Sequence, residues 1–237
     1  MNKAFRFQDE KSDKFWRVET LGCEMVTNWG KTATFGRWQI TEFDTEENCE
    51  KEAAKLIASK IKKGYQPMDD LDLNTLAYFD TEDFGPHPLT SHPIFRKYFS
   101  DELYYSCGDE DAPFGSDEGS DTLAVLEATF RKRPNMDFAD FPRKLIEDEW
   151  QMDYLSPADA QTDEQLKSLE GDILQTDQVI IATAFGQIKI TGGIDPAVFE
   201  LALKSLDRME HLYPDISSAV GIMRRDLEEF ARDFNIK

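Results

Sequence analysis

The sequence predicts an α+β protein: a small antiparallel β-sheet packed on one helix at the amino-terminal end, followed by a mainly helical, acidic domain. Three observations predict it. Short runs rich in aromatic and β-branched residues, broken by glycines, occupy residues 14–43. A lysine-rich helical pattern with a start signal follows and stops at Gly64. Beyond Pro67 apolar residues recur at helical spacing while the charge turns strongly negative.

KFWRVET (Lys14–Thr20) and CEMVTNW (Cys23–Trp29) flank Leu21-Gly22 and read as two antiparallel strands. RWQITEF (Arg37–Phe43) is a third, with Trp38 and Ile40 on one face by the period-two rule. The intervening GKTATFG is a loop bracketed by Gly30 and Gly36, residues able to adopt positive φ. Trp16 and Trp38 are expected in the core. Asp44-Thr45-Glu46-Glu47 offers a capping side chain with a glutamate three positions on, so a helix is expected over Thr45–Lys63. Cys49, Ala53, Leu56, Ile57 and Ile61 form its sheet-facing stripe. Lys51, Lys55 and Lys62 line the far side, with Lys60 and Lys63 nearby; the row suits a solvated face or a phosphate-binding stripe, and spacing does not choose between them.

In the second region helices are expected over His92–Phe99, Asp121–Lys132, Pro142–Met152, Asp163–Leu174, Pro196–Leu212 and Asp215–Phe234. Gln178–Thr191 suits a strand by its β-branched residues and a buried helix by its length, with helix preferred. For Pro196–Leu212 the inward residues are Phe199, Leu203, Leu206 and Met209. The stretch 101–121 has eight acidic residues and no basic one. It lacks the D-x-[DN]-x-[DN]-G order of a calcium loop, so it reads as a polar loop whose Ser120 or Asp121 caps the next helix.

Charge separates the two regions. Residues 1–66 hold 12 Lys+Arg against 11 Asp+Glu, whereas residues 67–237 hold 15 against 36, for a formal net charge of -20. Domains at 1–66 and 67–237 follow, with the boundary near Gly64-Tyr65-Gln66-Pro67 and the acidic run MDDLDLN. Cys23, Cys49 and Cys107 are odd in number and match no metal spacing, which suits free thiols in a reducing compartment. With no leader-like or membrane-spanning apolar stretch, the expectation is a cytoplasmic protein without a membrane partner.

Trp29-Gly30-Lys31, Phe35-Gly36 and the helix AAKLIASKIKKGY, closing on Lys62-Lys63-Gly64-Tyr65, occur in family-like order. On these residues the first 66 positions resemble a WGR domain. The resemblance implies a small sheet packed with one helix and an association with nucleic acid. In the poly(ADP-ribose) polymerase members the signature tryptophan stacks on sugar at a DNA end. Carried over, Trp29 is the stacking residue and Lys31 the cation beside it. Lys31 stands where the family has arginine, which keeps the charge and loses the bidentate fork. A hairpin aromatic packed on its own sheet is the competing reading of Trp29. The later segment APFGSDEGSDTLAVLE is similar to a motif of small bacterial helical domains, and the whole arrangement resembles bacterial WGR proteins of the YfeS type.

A catalytic site is not expected. His87, His92 and His211 form no metal pair, Cys107 is a lone loop cysteine, and no nucleophile elbow or phosphate loop occurs. No metal and no cofactor are expected. The expected function is a non-enzymatic binding protein associated with DNA or RNA, weakly and salt-sensitively, through Trp29, Gly30, Lys31, Arg37, Lys51, Lys55, Lys62 and Lys63. The alternative is a protein-interaction module whose acidic domain binds a basic protein partner or masks the lysine face.

Overall fold

A computed structural model describes residues 1–69, 71–81 and 83–236. Of the acidic run MDDLDLN, Asp70 lies outside the described residues. The chain forms two compact units, Met1–His92 and Pro93–Lys237.

The first unit holds strands β1 (Asn2–Gln8), β2 (Asp13–Leu21), β3 (Glu24–Lys31), β4 (Arg37–Glu42) and the short β5 (Gln66–Pro67), in the order β4-β3-β2-β1-β5. All pairings are antiparallel. The three expected strands are present. Strand β1 was not expected, although Phe5 and Phe7 alternate in NKAFRFQ, and Phe5 pairs with Trp16. Helix α1 (Glu46–Lys62) is capped by Thr45, whose side chain accepts from the Asn48 amide. It packs on one sheet face through a cluster of Phe5, Trp16, Val18, Met25, Cys49 and Ala53. Packing of Cys49, Ala53, Leu56 and Ile57 holds the helix, since most helix stability in proteins comes from a packed apolar face, whereas Ile61, expected in the stripe, is exposed.

Alternation sends Phe15, Arg17, Asn28, Trp38 and Ile40 to the opposite face. That face is also covered. The segment after β5 folds back over it and buries Tyr78, Phe79 and Leu89 completely. Ring centroids of Trp38 and Tyr78 lie 5.3 Å apart, and those of Phe35 and Phe79 5.0 Å. Arg17 is 1% exposed, with its guanidinium 4.9 Å from the Trp38 ring and 4.7 Å from the Tyr78 ring. Its Nη1 donates to the Tyr78 hydroxyl at 3.0 Å, and Glu19 stands 3.8 Å from Nη2. Trp16 and Trp38 are thus both core, on opposite faces. The compact unit accordingly runs to His92, past the boundary expected at residue 66.

The second unit contains α2 (Pro93–Tyr98), α3 (Asp117–Lys132), α4 (Phe141–Lys144) running into a π turn at Leu145–Glu149, α5 (Asp163–Ser168), α6 (Glu170–Thr191), α7 (Pro196–Leu212) and α8 (Ser217–Phe234). Every residue of α6 from Val179 to Ile190 is buried, as befits a helix packed by both α3 and α7. Ser116 caps α3 by accepting from the Gly119 amide, so the helix starts before the expected Ser120 or Asp121. The acidic stretch is more than a polar loop: Leu103, Tyr104, Ala112 and Phe114 anchor it in the core. The pattern over 163–174 breaks at Leu169, between α5 and α6. On α7, Val198, Ala202, Ser205 and Arg208 join Leu206 and Met209 inside, while Phe199 and Leu203 are half-buried. The stripe is turned because Arg208 donates through Nε and Nη2 to buried Asp177, at 2.9 and 2.7 Å. Buried Lys189 pairs with Glu127 at 3.3 Å in the same way.

Candidate nucleic-acid interface

The signature tripeptide closes β3. Trp29 lies opposite Trp16 on β2 and opposite Arg37 on β4, so the three side chains share the α1 face. Trp29 is half-buried and packs against the cluster of Phe5, Trp16 and Met25. The packed reading of Trp29 holds in part: one portion of the residue is core and the rest meets solvent.

Gly30 and Gly36 explain the loop. A Cβ on Gly30 would lie 2.8 Å from the Gly36 Cα, and one on Gly36 would lie 2.6 Å from the Trp29 carbonyl oxygen. Gly36 also has φ +67°, which side chains disfavour. The two ends of GKTATFG therefore touch, backbone on backbone. Asp13 ties the corner from below: it accepts from Arg6 Nε at 2.8 Å and from the Thr32 hydroxyl at 2.6 Å. The hydrogen bond from Arg6, then that from Thr32, holds its carboxyl at about 2.

Lys14 lies opposite Lys31, two pairs along from Trp16 and Trp29 and so on the same face. Lys14, Lys31 and Arg37 are exposed. Lys60 of α1 places its Nζ 5.1 Å from both the Trp16 and Tyr65 ring centroids. Burial, then the charge of Lys63, lowers its pKa. Four cations therefore ring the Trp16–Trp29 pair.

Of the expected site residues, the fold brings Trp29, Gly30, Lys31 and Arg37 together. It does not join Lys51, Lys55 and Lys62 to them. Those lysines are exposed on the side of α1 opposite Cys49 and Ala53, and Lys55 is paired with Glu52 at 2.8 Å. Lys63 is the exposed C-cap. Sequence reading passed over Lys14 and set Lys60 in the lysine row. Their signals are spacing: Lys14 is two residues before Trp16, and Lys60 continues the Ala53–Leu56 stripe.

Among known proteins, residues 1–71 match the WGR domain. The chain is 45% identical over 212 residues to YfeS of Escherichia coli K12, an uncharacterized protein, covering 88% of this chain and 86% of that one. The chain belongs to the YfeS family of WGR-domain proteins. Its WGR region is also 49% identical over 63 residues to YehF of the same organism, covering 27% of this chain and 23% of YehF. A crystal structure of a Bacteroides fragilis protein superimposes with a TM-score of 0.29 and 26% identity, over 54% of this chain and 39% of that one. The WGR signature residue that differs here, Lys31, is exposed beside Trp29 at the end of β3. No helix among the described residues is long and apolar enough to cross a membrane.

Proposed function

We propose that the chain is a non-enzymatic, nucleic-acid-associated adaptor that holds a phosphate backbone or strand end against the Trp29 edge of its WGR domain. The observation that carries this is the ring of Lys14, Lys31, Arg37 and Lys60 around paired tryptophans, one half exposed. An aromatic face supplies sequence-tolerant stacking, and the cations supply phosphate contacts that read no base. The formal net charge of -20 opposes approach to a polyanion. Screening limits that repulsion to about 8 Å at physiological salt, so local cations govern contact and binding is weak.

The test titrates the full chain into end-labelled duplex DNA across salt concentrations. Three exposed cations predict a slope of log K against log salt of about -3, and Lys31→Glu with Arg37→Glu reduces it by about 2. Absence of binding at low salt, or binding indifferent to the double variant, rules this surface out. The charge of residues 67–237 favours a second reading, a basic protein partner, and titration with a lysine-rich peptide at the same salts distinguishes it.

A further inference from the structure

The sheet face turned away from α1 holds a cavity of about 360 Å³, within the range of small-molecule sites. Phe15, Phe35, Met68, Leu71 and Leu76 make its wall mainly apolar. Its polar side chains, Arg17 apart, all point the same way chemically. Asn28, 4% exposed, lines the cavity, and its Nδ2 donates to the carbonyls of Phe35 and Arg37, both at 3.1 Å. Two carbonyl partners fix which end of the amide carries hydrogens. Among the described residues no donor bonds Oδ1, which is left as a held, unused acceptor.

The lining threonines have spent their protons: Thr32 donates to Asp13, Thr34 to the Lys31 carbonyl and Thr75 to the Asp72 carbonyl. Arg17 lines the cavity too, yet its Nε and Nη2 are sealed from solvent, and its charge faces two rings and Glu19. Of the polar side chains at the wall, Asn28 and the threonines present acceptors, and the one charge, Arg17, keeps its Nε and Nη2 closed off and, among the described residues, without a hydrogen bond. A lone water is poorly served by so apolar a wall, because buried water wants two to four polar partners.

We propose that this cavity binds a small, uncharged, mainly apolar molecule carrying an N–H or O–H donor, which bonds Asn28 Oδ1. The site is separate from the Trp29 edge, and neither proposal depends on the other. The probe is indole, compared with benzothiophene, which has the same bicyclic shape without the donor. Titrated into the full ¹⁵N-labelled chain, indole shifts the amides of Phe15, Asn28, Thr34 and Leu76 saturably, with a Kd on the order of 1 mM. Benzothiophene binds about tenfold more weakly. Ala77→Leu, which fills the cavity, abolishes the shifts, and the same spectrum reports that the sheet is folded. If that variant does not fold, Ala4→Val on the opposite wall takes its place. Absence of saturable shifts, shifts that survive the filled cavity, or equal affinity for the two probes overturns the proposal.

Discussion

Replacing Gly36 with alanine tests the close approach that forms the signature corner. The φ of +67° costs a side-chain-bearing residue about 1–2 kcal/mol. The new Cβ also meets the Phe15 ring tip and the Trp29 carbonyl oxygen, each at 2.6 Å, and the Trp29 carbonyl carbon at 2.9 Å. A ring tip can swing aside. A carbonyl inside a paired strand cannot, and such overpacking adds on the order of 1–3 kcal/mol. The expected loss is about 3 kcal/mol. Gly22→Ala is the control, because its φ is +56° and nothing lies within 4 Å of its Cβ; it loses about 1 kcal/mol. Three of the four tryptophans, Trp16, Trp29 and Trp38, belong to the first unit, so with Trp150 replaced by phenylalanine tryptophan fluorescence in urea follows its unfolding. With an m of about 1.5 kcal/mol/M, Gly36→Ala moves the midpoint by about 2 M and Gly22→Ala by less than half that. Equal shifts for the two variants refute the contact argument, leaving backbone conformation as the whole effect.

Trp29→Ala removes a half-buried ring from the α1 face and lowers stability by about 1–3 kcal/mol in the same urea assay, whereas Trp29→Phe preserves most of the packing. Asp13 titrates at about 2 when folded, below its usual 3.8. Its contribution is therefore present above about pH 4 and is lost as pH falls toward 2. Asp13→Asn abolishes that part of the acid sensitivity, and carboxyl NMR titration locates the midpoint. Arg208→Met strands buried Asp177 and costs about 3–5 kcal/mol, read by circular dichroism of the helical unit. Asp177 is pushed up chiefly by its burial, with Arg208 holding it down, so the loss eases as pH falls and the carboxyl takes up a proton.

Period-two and helical patterns suffice for β4 and α1, because each buries one clean face, while runs of aromatic and β-branched residues locate β2 and β3. Strand β2 shows where pattern reading stops. Trp16 and Val18 announce one buried face, but Arg17 and Glu19, polar by type, are buried on the other. Nothing local in FWRVE says that a distant tyrosine will stack on that arginine. The same limit explains α7, where Arg208 faces inward because Asp177, 31 residues earlier, awaits it. At the candidate interface, Trp29 and Lys31 were legible through their motif. Lys14 and Arg37 join them only through strand register, which depends on the turn at Leu21-Gly22 and the GKTATFG loop.

Arg17 bears on where a self-contained fragment of this chain can end. The stretch shared with YehF spans 63 residues and the WGR match ends at residue 71, yet one of the two rings enclosing Arg17 belongs to Tyr78. The stretch of similarity is thus shorter than the unit that packs together in this chain. A graft cut at the edge of similarity carries half a socket for a cation, and its host must furnish the other half or leave Trp38 and Ile40 bare. For this protein, a piece ending at His92 takes its own lid along.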